Sequence, residues 1–191
     1  MPQTVAMVWR NTGSMYFNGI YYSKDEKRAF ELYKLAAYED VPIAQFQLGK
    51  MYEYGLGVEI SHKMALIEYC AAASHGISEP MDSLGRLYFQ GTVLMTDLQK
   101  SFGWYLKAAQ KGNPHAEGMV GIMYLFGMGT KKSKGDATLW LTKTSKDSDS
   151  ATLAAFKNAI ESVVKRAQNA GAPTAESQQD AVLELTRSGT P

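Results

Sequence analysis

One ten-residue phrase recurs four times at a fixed step. It reads TGSMYFNGIY at 12–21, LGKMYEYGLG at 48–57, LGRLYFQGTV at 84–93 and VGIMYLFGMG at 120–129. A period of 20 to 50 residues is the mark of an array in which each unit buries its apolar face against the next. Three columns step by 36 residues without a slip. The first glycine falls at Gly13, Gly49, Gly85 and Gly121, the tyrosine at Tyr16, Tyr52, Tyr88 and Tyr124, and the second glycine at Gly19, Gly55, Gly91 and Gly127.

The second half of each unit repeats too. RAFELYKLAA (28–37) matches MALIEYCAAA (64–73), KSFGWYLKAA (100–109) and, more loosely, DATLWLTKTS (136–145). Small residues at Ala29, Ala65, Ser101 and Ala137, bulky ones at Tyr33, Tyr69, Tyr105 and Leu141, and small ones at Ala37, Ala73, Ala109 and Ser145 are four residues apart within each run, which places them on one helical face. Just before each run stands Asp25, Ser61, Asp97 or Ser133. An Asp or Ser side chain accepts a bond from an unpaired N–H of a helix's first turn, so these four are read as N-caps.

Each unit is therefore a helix A, a glycine-marked turn and a helix B. The first glycine lies inside helix A, where it costs about 1 kcal/mol against alanine. Its repetition implies close approach by helix B. The second glycine suits the left-handed residue that ends a helix. Pro42, Pro80 and Asn113-Pro114 mark starts of helix A. The spacing predicts helices at about 4–18, 26–38, 43–54, 62–74, 80–90, 98–110, 114–126 and 134–146. A fifth unit fails, because Lys157 and Val163 stand where its glycines belong. The expected organisation is four repeats over 1–147 (about 4–39, 40–75, 76–111 and 112–147), a capping helix over 148–171, and a tail over 172–191 that holds a short helix near 176–187.

The pattern LGxMYxxGxG, a capping Asp or Ser, then KAxxWYxKAA, resembles the Sel1-like repeats, relatives of the tetratricopeptide repeats. The resemblance covers about residues 8–147. Tyr21 and Val93 depart from it, standing where that family usually has a third glycine. It implies an all-α fold, a right-handed α-solenoid of four helix–turn–helix repeats, that serves as a scaffold or adaptor for protein partners, commonly in bacteria.

Composition narrows the function. With 45% apolar and 20% charged residues and a net charge of +1, the 191-residue chain is an ordinary globular mix. It lacks the broad basic surface that nucleic acid demands. Its single cysteine, Cys70, allows no intrachain disulfide and fits a reducing compartment. No segment approaches 18 consecutive apolar residues, so no membrane span is expected. The setting is read as cytoplasmic, or periplasmic if a signal peptide has been removed.

Chemistry is sparse. His62, His75 and His115 occupy no matched column and have no second ligand at helical spacing, so no metal is expected. No phosphate loop or nucleophile elbow appears, and no cofactor or catalytic residue is assigned. What repetition creates is a concave groove lined by helix A. Its variable columns give the expected partner-binding set Phe17, Lys50, Glu53, Tyr54, Arg86, Phe89, Gln90 and Phe126. For Phe17, Phe89 and Phe126, packing against the next unit is the competing reading. Met119, Ile122, Leu125 and Phe126 form an apolar row that the 150–169 segment is expected to meet. Two classes stay open: a non-catalytic scaffold for a protein partner, in an adaptor setting or as a bacterial immunity protein paired with a secreted effector, and an enzyme acting on cell-wall or β-lactam-like substrates, which requires titratable groups converging in one pocket.

Overall fold

A computed structural model of the chain describes residues 3–91 and 96–147. These residues form eight helices and no strand: α1 (Gln3–Asn18), α2 (Glu26–Tyr38), α3 (Pro42–Tyr54), α4 (His62–Ser74), α5 (Ser78–Gln90), α6 (Leu98–Gln110), α7 (Pro114–Phe126) and α8 (Lys134–Asp147). The helices alternate as A and B of successive repeats. Each begins and ends within two residues of its expected position. The largest difference is α5, which starts at Ser78 and takes Pro80 as its third residue. The first four N–H groups of a helix have no partner within it, so proline is tolerated there. The expected helices at 150–169 and 176–187, and the departure at Val93, lie outside the described residues. Two compact units divide the chain at 95/96, α1–α5 in the first and α6–α8 in the second.

Local chemistry explains the helix ends. The side chains of Asp25, Ser61, Asp97 and Ser133 accept from the backbone N–H groups of Arg28, Met64, Lys100 and Asp136. Asn113 does the same for Ala116 at 2.9 Å. Helices α3, α5 and α7 end on Gly55, Gly91 and Gly127, all left-handed. Helices α2, α4 and α6 are followed by a second left-handed column that the sequence reading missed: Asp40, Gly76 and Gly112, with φ of 59°, 81° and 82°. A short polar side chain tolerates that conformation better than most, which accounts for Asp40.

The first-glycine column is explained by what faces it. A Cβ on Gly49 would lie 2.6 Å from the Tyr69 ring, and one on Gly121 would lie 2.7 Å from Leu141. At Gly13 the nearest atoms, in Leu32 and Tyr33, are at 3.3 Å. So the bulky residues Tyr33, Tyr69 and Leu141 of α2, α4 and α8 seat on the glycines of their own helices A, 20 positions earlier. The tyrosine column then closes the other side. Tyr52 meets Phe30 edge-on at 5.3 Å, and Tyr124 meets Phe102 at 5.1 Å, each joining helix A to the helix B before it. In the first unit Ala29, Phe30, Tyr33, Ala36, Ala44, Leu48 and Met51 form one core cluster.

Two hydrogen-bonded carboxylates make stability acid-sensitive. The Lys100 N–H, and then its side chain, hold the Asp97 carboxyl below the ordinary aspartate range. Hydrogen bonds from Gln45 and His75 do the same for Asp40. A depressed carboxyl contributes its stability above the unfolded-state pKa, near 3.9, and loses it as pH falls through the folded value. The denaturant midpoint should therefore fall on acidification below about pH 4. Asp97→Asn, which keeps a capping oxygen but cannot titrate, should lose less over the same interval, as a urea titration at successive pH values would read.

Candidate functional site

Helix α3 carries an open stripe. Ile43, Gln47, Lys50 and Tyr54, at steps of four, three and four, lie on one face. Ile43 is 47% and Tyr54 55% exposed, while Gln47 and Lys50 are half-buried. The same columns give Met7, Asn11, Ser14 and Asn18 on α1, where Met7, Asn11 and Asn18 are exposed. On α5 they give Glu79, Ser83, Arg86 and Gln90, of which Glu79 is exposed and Ser83 is buried. All three helices belong to the first unit. Trp9, Tyr16 and Phe17 of α1 pack on the cluster that includes Ala44, Leu48 and Met51 of α3.

Under the stripe lies an ionic cluster. Arg86 donates through both terminal nitrogens to Glu53, from Nη1 to Oε1 at 2.5 Å and from Nη2 to Oε2 at 2.8 Å. The Tyr69 hydroxyl donates to Oε2 of the same carboxylate at 2.7 Å. The Glu53 side chain is 5% exposed and that of Arg86 20%. Burial pushes the Tyr69 hydroxyl far above its usual range, and the Glu53 charge adds to it, so Tyr69 remains a donor. The guanidinium fork matches the carboxylate in two parallel bonds, the strongest such arrangement. The cluster ties α3, α4 and α5 together. Burial also raises the pKa of Tyr54.

The expected partner-binding residues are thus sorted. Lys50, Tyr54 and Gln90 stay on the accessible face, with the Lys50 ammonium 5.7 Å from the Phe46 ring. Arg86 is committed to Glu53. Glu53 itself, at 6% exposure, is interior, and so is Phe89 at 1%. Neither offers an anchor to a partner as the helices stand; for Phe89, of its two readings, packing is the one the structure takes. Phe17 leans on the core, with Lys24 5.9 Å from its ring. Phe126 is half-buried and belongs to the second unit.

The sequence held a signal for the cluster. The column of Glu53 is otherwise Phe17, Phe89 and Leu125, so its carboxylate stands in an apolar column and calls for a partner. Ile43 and Gln47 were missed because the expected set was drawn from the columns next to the glycine and tyrosine, in the last turns of helix A.

In the second unit the fully buried Glu117 meets Lys143 at 2.5 Å. Met119 and Ile122 of α7 are 1% and 2% exposed, and the 150–169 segment expected against them lies outside the described residues. His75 lies 3.0 Å from Asp40, joining the ends of α4 and α2. Cys70 is exposed on α4, and partial burial raises its thiol pKa, the opposite of what an activated nucleophile needs. Among the described residues no three His, Cys, Asp or Glu side chains converge as a metal site, and no helix is long and apolar enough to cross a membrane.

Comparison with known proteins agrees with this architecture. The Sel1 repeat profile matches residues 10–41, 42–76, 81–113 and 114–149. Chitin synthase regulatory factor 3 of Schizosaccharomyces pombe is 32% identical over 127 residues, 65% of this chain and 14% of that protein. Chitin synthase regulator SKT5 of Saccharomyces cerevisiae is 33% identical over 131 residues, again 65% of this chain, and 18% of its own length. The chain thus spans under a fifth of either regulator. The crystal structure of a Sel1 repeat protein from Oxalobacter formigenes superposes with a TM-score of 0.75 at 29% identity, covering 100% of this chain and 76% of that one.

Proposed function

We propose, from the premise that this chain belongs to the Sel1 repeat family, that it is a non-catalytic scaffold which holds a partner protein on the helix-A face of its first unit. The observation that carries this is the open α3 stripe. Ile43 and Tyr54 stay about half exposed on a helix whose other apolar residues are buried or half-buried. Exposed aromatic and aliphatic residues beside a cation are the usual anchors of a protein contact. The ion cluster beneath them locks the three helices, so the face is preorganised and loses little entropy on binding.

The scaffold reading also fits the regulator names of the two yeast relatives, whose own roles belong to much longer proteins. Lys50→Glu/Tyr54→Ala tests it. Both side chains are accessible and outside the ion cluster, so the helices should stay intact, whereas Arg86 substitutions would disturb folding. With a partner captured from the source cells, the double variant should bind at least about tenfold more weakly, the scale of losing one modest anchor, at unchanged circular dichroism. Full affinity in that variant would place the contact elsewhere.

A further inference from the structure

Tyr21 stands in the column of Gly57 and Gly129, and its backbone takes their left-handed conformation: φ is 67° at Tyr21, 72° at Gly57 and 66° at Gly129. The two glycines are required by a close approach. A Cβ on Gly57 would overlap the Glu26 carbonyl oxygen and lie 2.8 Å from the Lys27 nitrogen. A Cβ on Gly129 would overlap the Leu98 carbonyl oxygen and lie 2.9 Å from the Gln99 nitrogen. In the second and fourth repeats, therefore, this turn sits flush on the first turn of the preceding helix B, at Glu26 and Leu98, a column that reaches Lys134 one repeat later.

Among the described residues, the α1 end and the first turn of α8 are built to the same pattern, and neither is covered. At the α1 end Val8 is 56% exposed, where its equivalents Ala44 and Ala116 are at 0%; Ile20 is 53% exposed, where Met128 is at 3%. Tyr22, in the column of the core-packed Val58, is 48% exposed. Among the described residues the first turn of α8 is uncovered. Lys134, Gly135 and Asp136 are exposed, and a Cβ on Gly135 would meet nothing within 4 Å. Thr138, in the column of Phe30 and Phe102, is exposed too. A second copy of the chain could thus lay its α8 on the α1 end as α2 lies on α3 and α6 on α7. Such a contact is head-to-tail: its two surfaces differ, so each added copy presents a surface for the next.

We infer that Tyr21 is the residue that stops this growth. Its Cβ falls where the carbonyl of Lys134 in the second copy would have to lie, and a backbone carbonyl at the start of a helix cannot move aside. The end face keeps its apolar surface, and one side chain bars the occupant that the repeat geometry would otherwise admit.

Sedimentation velocity over a range of concentrations tests this with the full chain. The unaltered protein should keep one sedimentation coefficient. Tyr21→Gly should form species whose weight-average mass climbs with concentration past that of two copies, and its melting temperature at low concentration should rise, because the left-handed residue is relieved. Tyr21→Ala removes the ring but keeps the Cβ, and should behave as the unaltered protein does. Adding Thr138→Asp to Tyr21→Gly should abolish the growth, because it charges the face that would meet Tyr16 of the next copy. Growth in the unaltered protein, no growth in Tyr21→Gly, equal growth in Tyr21→Ala, or growth that survives Thr138→Asp would each overturn the inference.

Discussion

Arg86→Met should lower the unfolding free energy by about 3–5 kcal/mol, the cost of leaving a buried carboxylate without its counter-charge. Glu53 is 6% exposed, and the only other group shown bonding to its carboxylate is the neutral Tyr69 hydroxyl. The variant's carboxylate must then either stay charged without water or take up a proton, and both destabilise the folded chain at neutral pH. The triple variant Glu53→Leu/Tyr69→Phe/Arg86→Met should recover most of the loss and come within about 1 kcal/mol of the unaltered protein, because a well-packed apolar replacement of a buried ion pair is often neutral or stabilising. Leucine already stands in this column at Leu125, and phenylalanine at Phe17 and Phe89. Phenylalanine at 69 avoids leaving the buried hydroxyl unsatisfied. Urea unfolding of the two variants reads the difference; equal losses would mean that the ion pair itself is a net stabiliser.

Gly57→Ala should cost a similar amount by a different route. The residue sits at φ 72°, where any Cβ is strained by about 1–2 kcal/mol. The added atom would also overlap the Glu26 carbonyl, and overpacking of this kind typically adds about 1–3 kcal/mol. The sum is about 2–5 kcal/mol. Gly103, in the interior of α6, has nothing within 4 Å of a built Cβ. Gly103→Ala should therefore be neutral or stabilise by about 1 kcal/mol through helix propensity alone. Thermal unfolding of the pair separates a glycine that the packing requires from one that it does not.

The helices were legible because repetition supplied each signal several times. Asp25, Ser61, Asp97 and Ser133 read as caps from one column, and all four accept the expected backbone bond. The inner glycines read as contact points, and Gly49 and Gly121 face the bulky side chains that the same period placed opposite them. The site was less legible. A period says which residues share a face, and it does not say which face stays open. Phe89 and Glu53 occupy a column adjoining the stripe, yet a rotation of one position along a helix carries a side chain from solvent to core. Column chemistry was the better guide. An apolar column makes Phe89 interior, and it makes Glu53 an interior charge that needs Arg86. Tyr21 shows the reverse, since its departure from a glycine column was visible in the sequence, but its meaning depended on a neighbour that only the folded turn at Gly57 reveals.

The most direct test of the scaffold reading is the hydrogen-exchange footprint of a captured partner on the full chain. The account predicts that protection on binding concentrates along the A helices of the first unit, with α3 from Ile43 to Tyr54 slowed most and the exposed B-helix segments around Leu35, Tyr38 and Ile67 unchanged. Protection confined to those B-helix segments, with α3 exchanging as it does in the free chain, would contradict it.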